Sequence, residues 1–229
     1  MNYHLCRVFI NLHTHSPTLA PGVLALESIY AGQVNPPVSH WQSVGLHPWY
    51  LPEPWNSARE WLESQAVLPI TLAIGEAGLD KVCSTPWTLQ EAAFTYCIEL
   101  SERVEKPLII HCVRAHAEVL QLKKVLKARQ PWIFHGFDKN LATAQMILNA
   151  GAFLSFGSSL FRENNPAAKV LPHIPMNQFF LETDVSAWTI QEVYERAAKL
   201  RGWSLAALEQ QMEENFRDVF GVLSGGGQL

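Results

Sequence analysis

The chain has 229 residues, of which 48% are hydrophobic, and a net charge of −4 from 17 basic and 21 acidic residues. This length fits one domain and lies in the range of α/β barrels, which take roughly 200 to 250 residues. The acidic balance argues against a broad basic surface that would bind nucleic acid through many Lys and Arg contacts. No apolar run reaches the roughly 18 residues of a membrane-spanning helix, and the start lacks a basic segment followed by an apolar one.

The four cysteines indicate a reducing compartment. Cys6, Cys83, Cys97 and Cys112 show no CxxC spacing, which favours reduced thiols over a disulfide framework or a zinc knuckle. Together with the features of the chain's start, this favours a cytoplasmic protein. We also expect a monomer that binds neither a membrane nor another protein.

Apolar, strand-like runs alternate with amphipathic, helix-like stretches along the chain. We predict eight strands, at residues 7–13, 23–28, 43–47, 70–76, 108–111, 132–135, 152–156 and 179–184. We predict six helices, at residues 55–64, 88–104, 116–128, 141–149, 190–199 and 205–216. Such alternation is typical of a parallel sheet with crossover helices. We therefore expect one α/β domain over residues 1–223 and a flexible, glycine-rich tail at residues 224–229.

Two histidines stand at the end of the first predicted strand, as His13 and His15. Side chains alternate along a strand that rises about 3.3 Å per residue, so the two imidazoles share a face about 6 to 7 Å apart. At that spacing they can bind one ion, with Zn–N bonds of about 2.1 Å. A solvated strand end can carry the same pair without any metal, so the pair alone decides nothing.

Further donor side chains end four more of the predicted strands: Glu76, His111, His135 and Asp184. Each of them, taken singly, is the kind of residue found where a buried strand emerges into solvent. Their oxygen and nitrogen atoms are ligands for hard or borderline divalent ions. Because the carboxyl ends of parallel strands meet at one rim, we expect all six donors to line one cleft.

Six short motifs occur in order between residues 8 and 184: NLHTH at 11–15, GLHP at 45–48, IGEAGLD at 74–80, IH at 110–111, HGF at 135–137 and LETD at 181–184. Together they resemble the motifs of the TatD family of metal-dependent deoxyribonucleases, within the amidohydrolase superfamily. The resemblance implies a TIM-like (β/α)8 barrel with a metal centre at the carboxyl ends of its strands. It also implies hydrolysis of a phosphodiester bond, with a DNA end or single strand as the substrate.

The resemblance implies six metal ligands: His13, His15, Glu76, His111, His135 and Asp184. The two histidines of the first motif and Asp184 would hold one divalent ion, the two later histidines would hold a second, and Glu76 would bridge them. Zn²⁺, Mg²⁺ and Mn²⁺ all suit these donors. Two ions about 3.5 to 4 Å apart can activate a water for in-line displacement. Glu76 and Asp184 are the catalytic candidates, and Asp184 either deprotonates the attacking water or serves only as a ligand.

Three residues are candidates for substrate binding. The resemblance places His47 against a substrate phosphate, although a histidine that caps a core strand is the alternative. The family carries an arginine two residues after the histidine of the fifth strand, where this chain has Val113. We expect Arg114 or Lys139 to supply the missing phosphate contact.

Other motif residues have two readings. Asp80 ends the IGEAGLD motif, and we interpret it as a carboxylate that fixes a metal ligand or a loop. Trp49, Trp87 and Trp188 follow strand-end motifs and either stack on bases or cover apolar loop surface. Asn11 stands where the family's first motif usually opens with aspartate.

Three functions follow from these observations. The first is a metal-dependent phosphodiesterase that acts on DNA. The second is a metallohydrolase of a small ester, amide or nucleotide, which fits the acidic balance and Val113. The third is a metal-stabilised binding scaffold, which the complete set of donors disfavours.

Overall fold

The barrel is formed by eight parallel strands. The structure is a computed structural model and describes residues 8–15, 21–33 and 41–221. The strands are β1 (Phe9–Thr14), β2 (Val23–Tyr30), β3 (Gln42–Gly45), β4 (Thr71–Asp80), β5 (Leu108–Val113), β6 (Trp132–Phe134), β7 (Phe153–Phe156) and β8 (Phe179–Leu181). They pair in sequence order, and a parallel bridge between Thr14 and Asp184 brings β1 to the chain beyond β8. The sheet is therefore a nearly closed barrel, which confirms the predicted fold.

Helices lie between most of the strands. They are α1 (Asn56–Ala66), α2 (Trp87–Val104), α3 (His116–Val125), α4 (Leu141–Asn149), α5 (Ala167–Val170), α6 (Ile190–Arg201) and α7 (Leu205–Phe220), with 3-10 turns at Pro48–Tyr50, Ser158–Phe161, Leu171–His173 and Met176–Gln178. All six predicted helices are present, and the four-residue α5 is the addition. Among the described residues, no helix separates β1, β2 and β3, and no helix is long and apolar enough to span a bilayer.

Side-chain caps and glycines set several helix ends. Asn140 Oδ1 accepts a hydrogen bond from the Thr143 amide at the start of α4, at 3.0 Å. Thr189 and Glu192 form a reciprocal capping box at the start of α6, which satisfies amides that a helix leaves unpaired at its first turn. Gly202 ends α6 in the left-handed region, at φ 68°, a conformation that glycine adopts without steric cost.

Aromatic side chains fill the core between the barrel and the helices. Trp132, Phe156 and Phe180 lie on β6, β7 and β8 and are fully buried, and burial of a large apolar side chain contributes roughly 1.5 to 3 kcal/mol. Tyr194 of α6 is also buried, and its hydroxyl accepts from the Ile10 amide at 3.0 Å and donates to the Ile10 carbonyl at 3.1 Å. This pair of bonds fixes the strand that carries the first two histidines.

The carboxyl end of every strand except β7 differs from the prediction by one to four residues, and three of these ends lie beside candidate site residues. β4 runs to Asp80, beyond the predicted end at residue 76, because its pairing with β5 continues there. β3 stops at Gly45 since His47 instead caps the turn at Pro48–Tyr50. β8 stops at Leu181, and Asp184, with a left-handed φ of 52°, forms only an isolated bridge to Thr14.

Some predictions fall outside the described part of the chain. These are the start of the first predicted strand at residue 7, the Cys6 thiol and the tail at residues 224–229. The other three cysteines, Cys83, Cys97 and Cys112, are free.

Candidate metal centre

The buried carboxylate of Glu76 lies at the middle of the predicted donor set. Its Oε2 atom is 3.4 Å from His13 Nε2 and 3.3 Å from His15 Nε2. Its Oε1 atom is 2.6 Å from both His111 Nδ1 and His135 Nε2. The two oxygens of one carboxylate thus face two different pairs of histidines. We call these the Oε2 side and the Oε1 side.

The Oε2 side has the spacing of a metal site. Asp184 Oδ1 lies 3.6 Å from His13 Nε2 and 3.6 Å from His15 Nε2. Four ligands at about 2.1 Å from one ion in a tetrahedron are separated by about 3.4 Å, close to these four distances. His13 is fully buried, yet neither of its ring nitrogens has a hydrogen-bond partner. A buried imidazole without a hydrogen bond is costly, and a bound cation would satisfy it.

Barrel closure holds Asp184 in place on this side. The Asp184 amide donates to the His13 carbonyl at 2.9 Å. Asn11 Nδ2 donates to Thr183 Oγ1 at 2.9 Å, and Asn11 Oδ1 accepts from the Thr183 amide at 3.0 Å. Asn11 therefore uses both the donor and the acceptor of its amide to tie β1 to the LETD motif. An ionised aspartate at this position could only accept.

On the Oε1 side, a second carboxylate stands behind each histidine. His111 Nε2 is 3.2 Å from Asp80 Oδ2, and His135 Nδ1 is 3.6 Å from Glu182 Oε1. Carboxylates behind ligating histidines are a recurrent feature of metal sites, because they fix the tautomer and the ring orientation. At 2.6 Å, however, both imidazoles hydrogen-bond Glu76 directly. The donor atoms of this side are therefore in hydrogen-bond contact, whereas those of the Oε2 side lie 3.3 to 3.6 Å apart.

His47 approaches the same oxygen in a different role. Its Nδ1 atom accepts from the Trp49 amide at 3.1 Å, so the ring proton of the neutral form belongs on Nε2. Nε2 lies 3.1 Å from Glu76 Oε1. Burial lowers the pKa of His47 despite the opposing effect of Glu76, which favours this neutral form. His47 is therefore arranged as an N–H donor to Glu76, and its contact with substrate stays a prediction.

The electrostatics of the centre favour bound positive charge. Burial raises the pKa of the Glu76 carboxyl, but His135, His111 and His13 outweigh it and hold that pKa well below its usual range. Burial lowers the pKa of His135, but Glu76 and Glu182 outweigh it and raise that pKa well above its usual range. A divalent cation held by these donors would supply the positive charge that both shifts favour.

The two predicted phosphate contacts are not bonded to the donors, although Asp138, the partner of Lys139, lines a cavity with Asp184. Arg114 is exposed just after β5, and Lys139 Nζ is paired with Asp138 Oδ1 at 2.7 Å. Within the described part of the chain, no hydrogen bond or ion pair joins either cation to the six donors. Arg162, which the sequence interpretation missed, instead lines a cavity of about 170 Å³ together with Asp184 and Ser158.

Glu182 is the second residue that the sequence interpretation missed. It is fully buried, and its Oε1 atom accepts from the Gly136 amide at 2.7 Å. The LETD motif contained the signal, because a buried acid beside a candidate ligand needs a positive partner. Arg162 gave no comparable signal, since it follows a short 3-10 turn in a connecting segment.

Two motif glycines allow the donor-bearing strands to approach closely. A Cβ atom on Gly45 would lie 2.3 Å from the Glu76 carbonyl oxygen, and one on Gly78 would lie 1.9 Å from the His111 carbonyl oxygen. Any larger residue would push apart the strands that carry Glu76 and His111. The glycines of GLHP and IGEAGLD are therefore steric requirements of the centre.

Comparisons with known proteins agree with the geometry. The family "TatD related DNase" matches residues 30–221, a range that begins after His13 and His15. "3'-5' ssDNA/RNA exonuclease TatD" from Edwardsiella piscicida is 28% identical over 209 residues, which cover 79% of this chain and 77% of that protein. "Uncharacterized metal-dependent hydrolase TatD" from Mycobacterium tuberculosis is 33% identical over 150 residues, which cover 62% of this chain and 56% of that protein.

A solved structure supports the same fold. The TatD homologue YJJV from Escherichia coli K12 superposes with a TM-score of 0.83 and 21% identity, over 96% of this chain and 100% of that one. At this identity the likeness bears on the fold alone, while the family match covers most of the sequence. The chain therefore belongs to the TatD-related DNase family and is a metal-dependent hydrolase of the TatD type.

Proposed function

We propose that this protein hydrolyses phosphodiester bonds of single-stranded nucleic acid, starting from an end, at a centre that holds two divalent ions. The observation that carries the proposal is the division of the Glu76 carboxylate between two pairs of histidines. One carboxylate that faces two donor sets is suited to bridge two ions. The name of the Edwardsiella piscicida relative, an exonuclease on single-stranded DNA and RNA, supports this class of substrate.

The donors divide between the two ions as follows. His13, His15 and Asp184 would hold one ion on the Oε2 side, and His111 and His135 would hold the other on the Oε1 side. When bound, such a pair of ions polarises a phosphoryl oxygen and lowers the pKa of a water. The Asp184 side chain is 35% exposed, against 0% for that of His13 and 23% for that of His15. It is therefore the donor best placed to accept a proton from an attacking water.

Other side chains would position the phosphate. His47 can donate its Nε2 proton to a phosphoryl oxygen once Glu76 is engaged by cations. Arg162 and Ser158 line the cavity beside Asp184. A guanidinium can bind two oxygens of one phosphate, so Arg162 can take the role that the sequence assigned to Arg114 or Lys139. A local cation of this kind serves a chain whose net charge is −4.

The test is cleavage of a single-stranded oligonucleotide labelled at either end. The wild-type protein with Mg²⁺, Mn²⁺ or Zn²⁺ should shorten the strand stepwise. Glu76→Gln should lower the rate by at least about 10³-fold, the scale on which loss of a central electrostatic group acts. Glu195→Gln is the matched control, because Glu195 is exposed on α6 and belongs to none of the motifs. Absence of cleavage with all three metals would refute the proposal.

Hydrolysis of a small ester, amide or nucleotide is the second candidate function. It is favoured by the size of the cavity at Arg162, about 170 Å³, which suits a compact substrate. Chromogenic esters, amides and nucleotide analogues separate the two functions. This candidate requires rapid turnover of one of these compounds by a protein that leaves oligonucleotides intact.

Two sequence-based expectations stay predictions. A cytoplasmic location is checked by cell fractionation, and a monomeric state by light scattering of the purified protein. Neither result bears on the chemistry at Glu76.

A further inference from the structure

We propose that Trp49 stacks on the unpaired nucleobase of the nucleotide held at the centre and thereby selects single strands. This inference rests on the proposed function and names the group that recognises its substrate. Trp49 lies in the 3-10 turn after β3 and is 54% exposed. Its aromatic neighbours His47, Tyr50 and His111 all meet it at steep angles, between 73° and 81°. Among the described residues, no aromatic ring lies parallel to it.

Trp188, at the same rim, is an exposed indole that already stacks on another side chain. It is 42% exposed, and Phe161 lies parallel to its ring at a centroid distance of 4.0 Å and an angle of 7°. The stacking partner of Trp188 is thus supplied by the protein itself. Trp49 has comparable exposure and no such partner among the described residues. One face of its ring is therefore free to stack on a planar ligand.

The orientation of Trp49 is already fixed. Its Nε1–H donates to Asp80 Oδ2 at 2.7 Å, and its amide donates to His47 Nδ1 at 3.1 Å. An exposed aromatic side chain held by its polar edge loses little freedom when a ligand binds, and this preorganisation favours binding. Free surface tryptophans without a function have no need of such an anchor.

The hydrogen bonds of Asp80 also shape a pocket next to the indole. Asp80 Oδ1 accepts from the amides of Val82 at 2.7 Å and Cys83 at 3.2 Å, which fixes the loop after β4. Together with Ser84, these residues and Trp49 line an open pocket of about 300 Å³. That volume is at the lower end of pockets that take small molecules, and it suits one nucleobase.

The pocket is joined directly to the metal centre. Asp80 Oδ2, which accepts from Trp49, also lies 3.2 Å from His111 Nε2. The other nitrogen of the His111 ring is 2.6 Å from Glu76 Oε1. The ring centroids of Trp49 and His111 are 5.6 Å apart. A base on Trp49 therefore belongs to a nucleotide whose phosphate is at the centre.

Stacking of this kind accounts for a preference for single strands. Base–aromatic stacking tolerates any sequence, because every base has a π-face, and is worth roughly 5- to 150-fold in affinity per base. In a duplex, both faces of an internal base are covered by its neighbours. The terminal pair of a duplex keeps a free outer face, but a base pair is larger than the pocket of about 300 Å³ beside Trp49. An unpaired or frayed end is therefore preferred, because it presents a single base.

The experiment compares two oligonucleotides that differ only in whether the terminal nucleotide carries a base. We expect Trp49→Ala to raise KM for the normal end by roughly 10- to 100-fold while kcat changes little. With the abasic end, the same variant should match the wild type. Trp49→Phe should restore most of the affinity, because phenylalanine keeps the ring and loses only the bond to Asp80. Trp188→Ala is the matched control and should leave KM within about twofold.

A binding measurement keeps the inference testable apart from cleavage. A strand with terminal 2-aminopurine and uncleavable phosphorothioate linkages should lose fluorescence on the wild-type protein but not on Trp49→Ala. The inference is wrong if KM and fluorescence are unchanged in Trp49→Ala, or if normal and abasic ends are affected equally. It is also wrong if Trp188→Ala has the same effect. Failure of the wild type to cleave any strand would instead overturn the proposed function.

Discussion

The two sides of the Glu76 carboxylate differ in what sets their shape. On the Oε2 side, donor atoms stand 3.3 to 3.6 Å apart, and the main chain holds them through the bridge between β1 and the segment after β8. On the Oε1 side, His111 and His135 close onto Glu76 at 2.6 Å, with a carboxylate behind each ring. Backbone geometry thus keeps the donor atoms of the first side apart, while side-chain hydrogen bonds join those of the second.

The largest expected effect comes from removal of the group that the two sides share. Glu76→Ala should abolish stoichiometric metal binding on both sides, because each side loses its only buried carboxylate ligand. Metal analysis of the purified variant measures this, and circular dichroism checks that the barrel persists. Retention of one tightly bound ion would show that the sides do not depend on a common carboxylate.

The next effect should fall on the Oε2 side alone. Asp184→Asn replaces the exposed carboxylate there by a weaker, neutral ligand. We expect one bound ion instead of two and a loss of activity of roughly 10²- to 10³-fold. Loss of both ions would mean that the Oε1 side cannot bind metal by itself. Wild-type activity would remove Asp184 from the catalytic candidates.

Stability should depend on pH differently with and without metal. The pKa of His135 is raised well above 6.5, since Glu76 and Glu182 outweigh burial. A raised pKa stabilises the folded state fully below the unfolded pKa, and the contribution is lost as the pH rises through the folded pKa. Metal-free protein should therefore melt at progressively lower temperature above about pH 6.5. Metal-loaded protein should not, because a cation replaces the proton.

Thermal melts between about pH 6 and pH 9, with chelator or with added Mn²⁺, measure this difference. The same exchange should release protons on metal binding, which calorimetry in buffers of different ionisation enthalpy detects. The same pH dependence under the two conditions would contradict a protonated His135 beside Glu76 in the metal-free protein.

A smaller effect should follow from the carboxylate behind His111. Asp80→Asn keeps the size of the side chain but weakens its bond to His111 Nε2, which lies 3.2 Å away. Such changes typically cost about 10- to 100-fold in metal affinity or activity, and we expect the loss in the weaker of two binding steps. Asp218→Asn is the control, because Asp218 is exposed on α7. An equal loss in both binding steps would contradict the assignment.

The fold was predictable because its signal is local. Apolar runs such as residues 108–110 mark the strands, and α4 has the predicted bounds of residues 141–149. Backbone features at the rim carry no such periodic signal. β8 was predicted to reach residue 184, but it ends at Leu181, and the left-handed φ of 52° at Asp184 had no signal in the sequence.

The candidate site was predictable in its members more than in its arrangement. Because parallel strands share a rim, the order of motifs was enough to group the six donors. Which oxygen of Glu76 faces which histidine depends on long-range pairs such as Glu182 with His135. These two residues are 47 positions apart in the sequence and meet only after folding. Arg162 lies in a connecting segment, where no pattern distinguishes a cavity-lining cation from a solvated one.

The smallest expected effect concerns the residue that departs from the family's first motif. Asn11→Asp removes the donor to Thr183 Oγ1, now at 2.9 Å, while the acceptor for the Thr183 amide is kept. One buried hydrogen bond contributes about 0.5 to 1.5 kcal/mol, so the melting temperature should fall by roughly 1 to 6 °C for a chain of this length. Both ions should still bind, since Asn11 contacts Thr183 and no donor.

A double variant that combines Asn11→Ala with Thr183→Ala decides whether these two residues position the donors of the Oε2 side. If the two residues act on each other, the loss of stability in Asn11→Ala and Thr183→Ala together should be smaller than the sum of the single losses, by about 0.5 to 3 kcal/mol. Additive losses would mean that the bridge between Thr14 and Asp184 closes the barrel without them. The open geometry at Glu76 Oε2 would then follow from the strands alone.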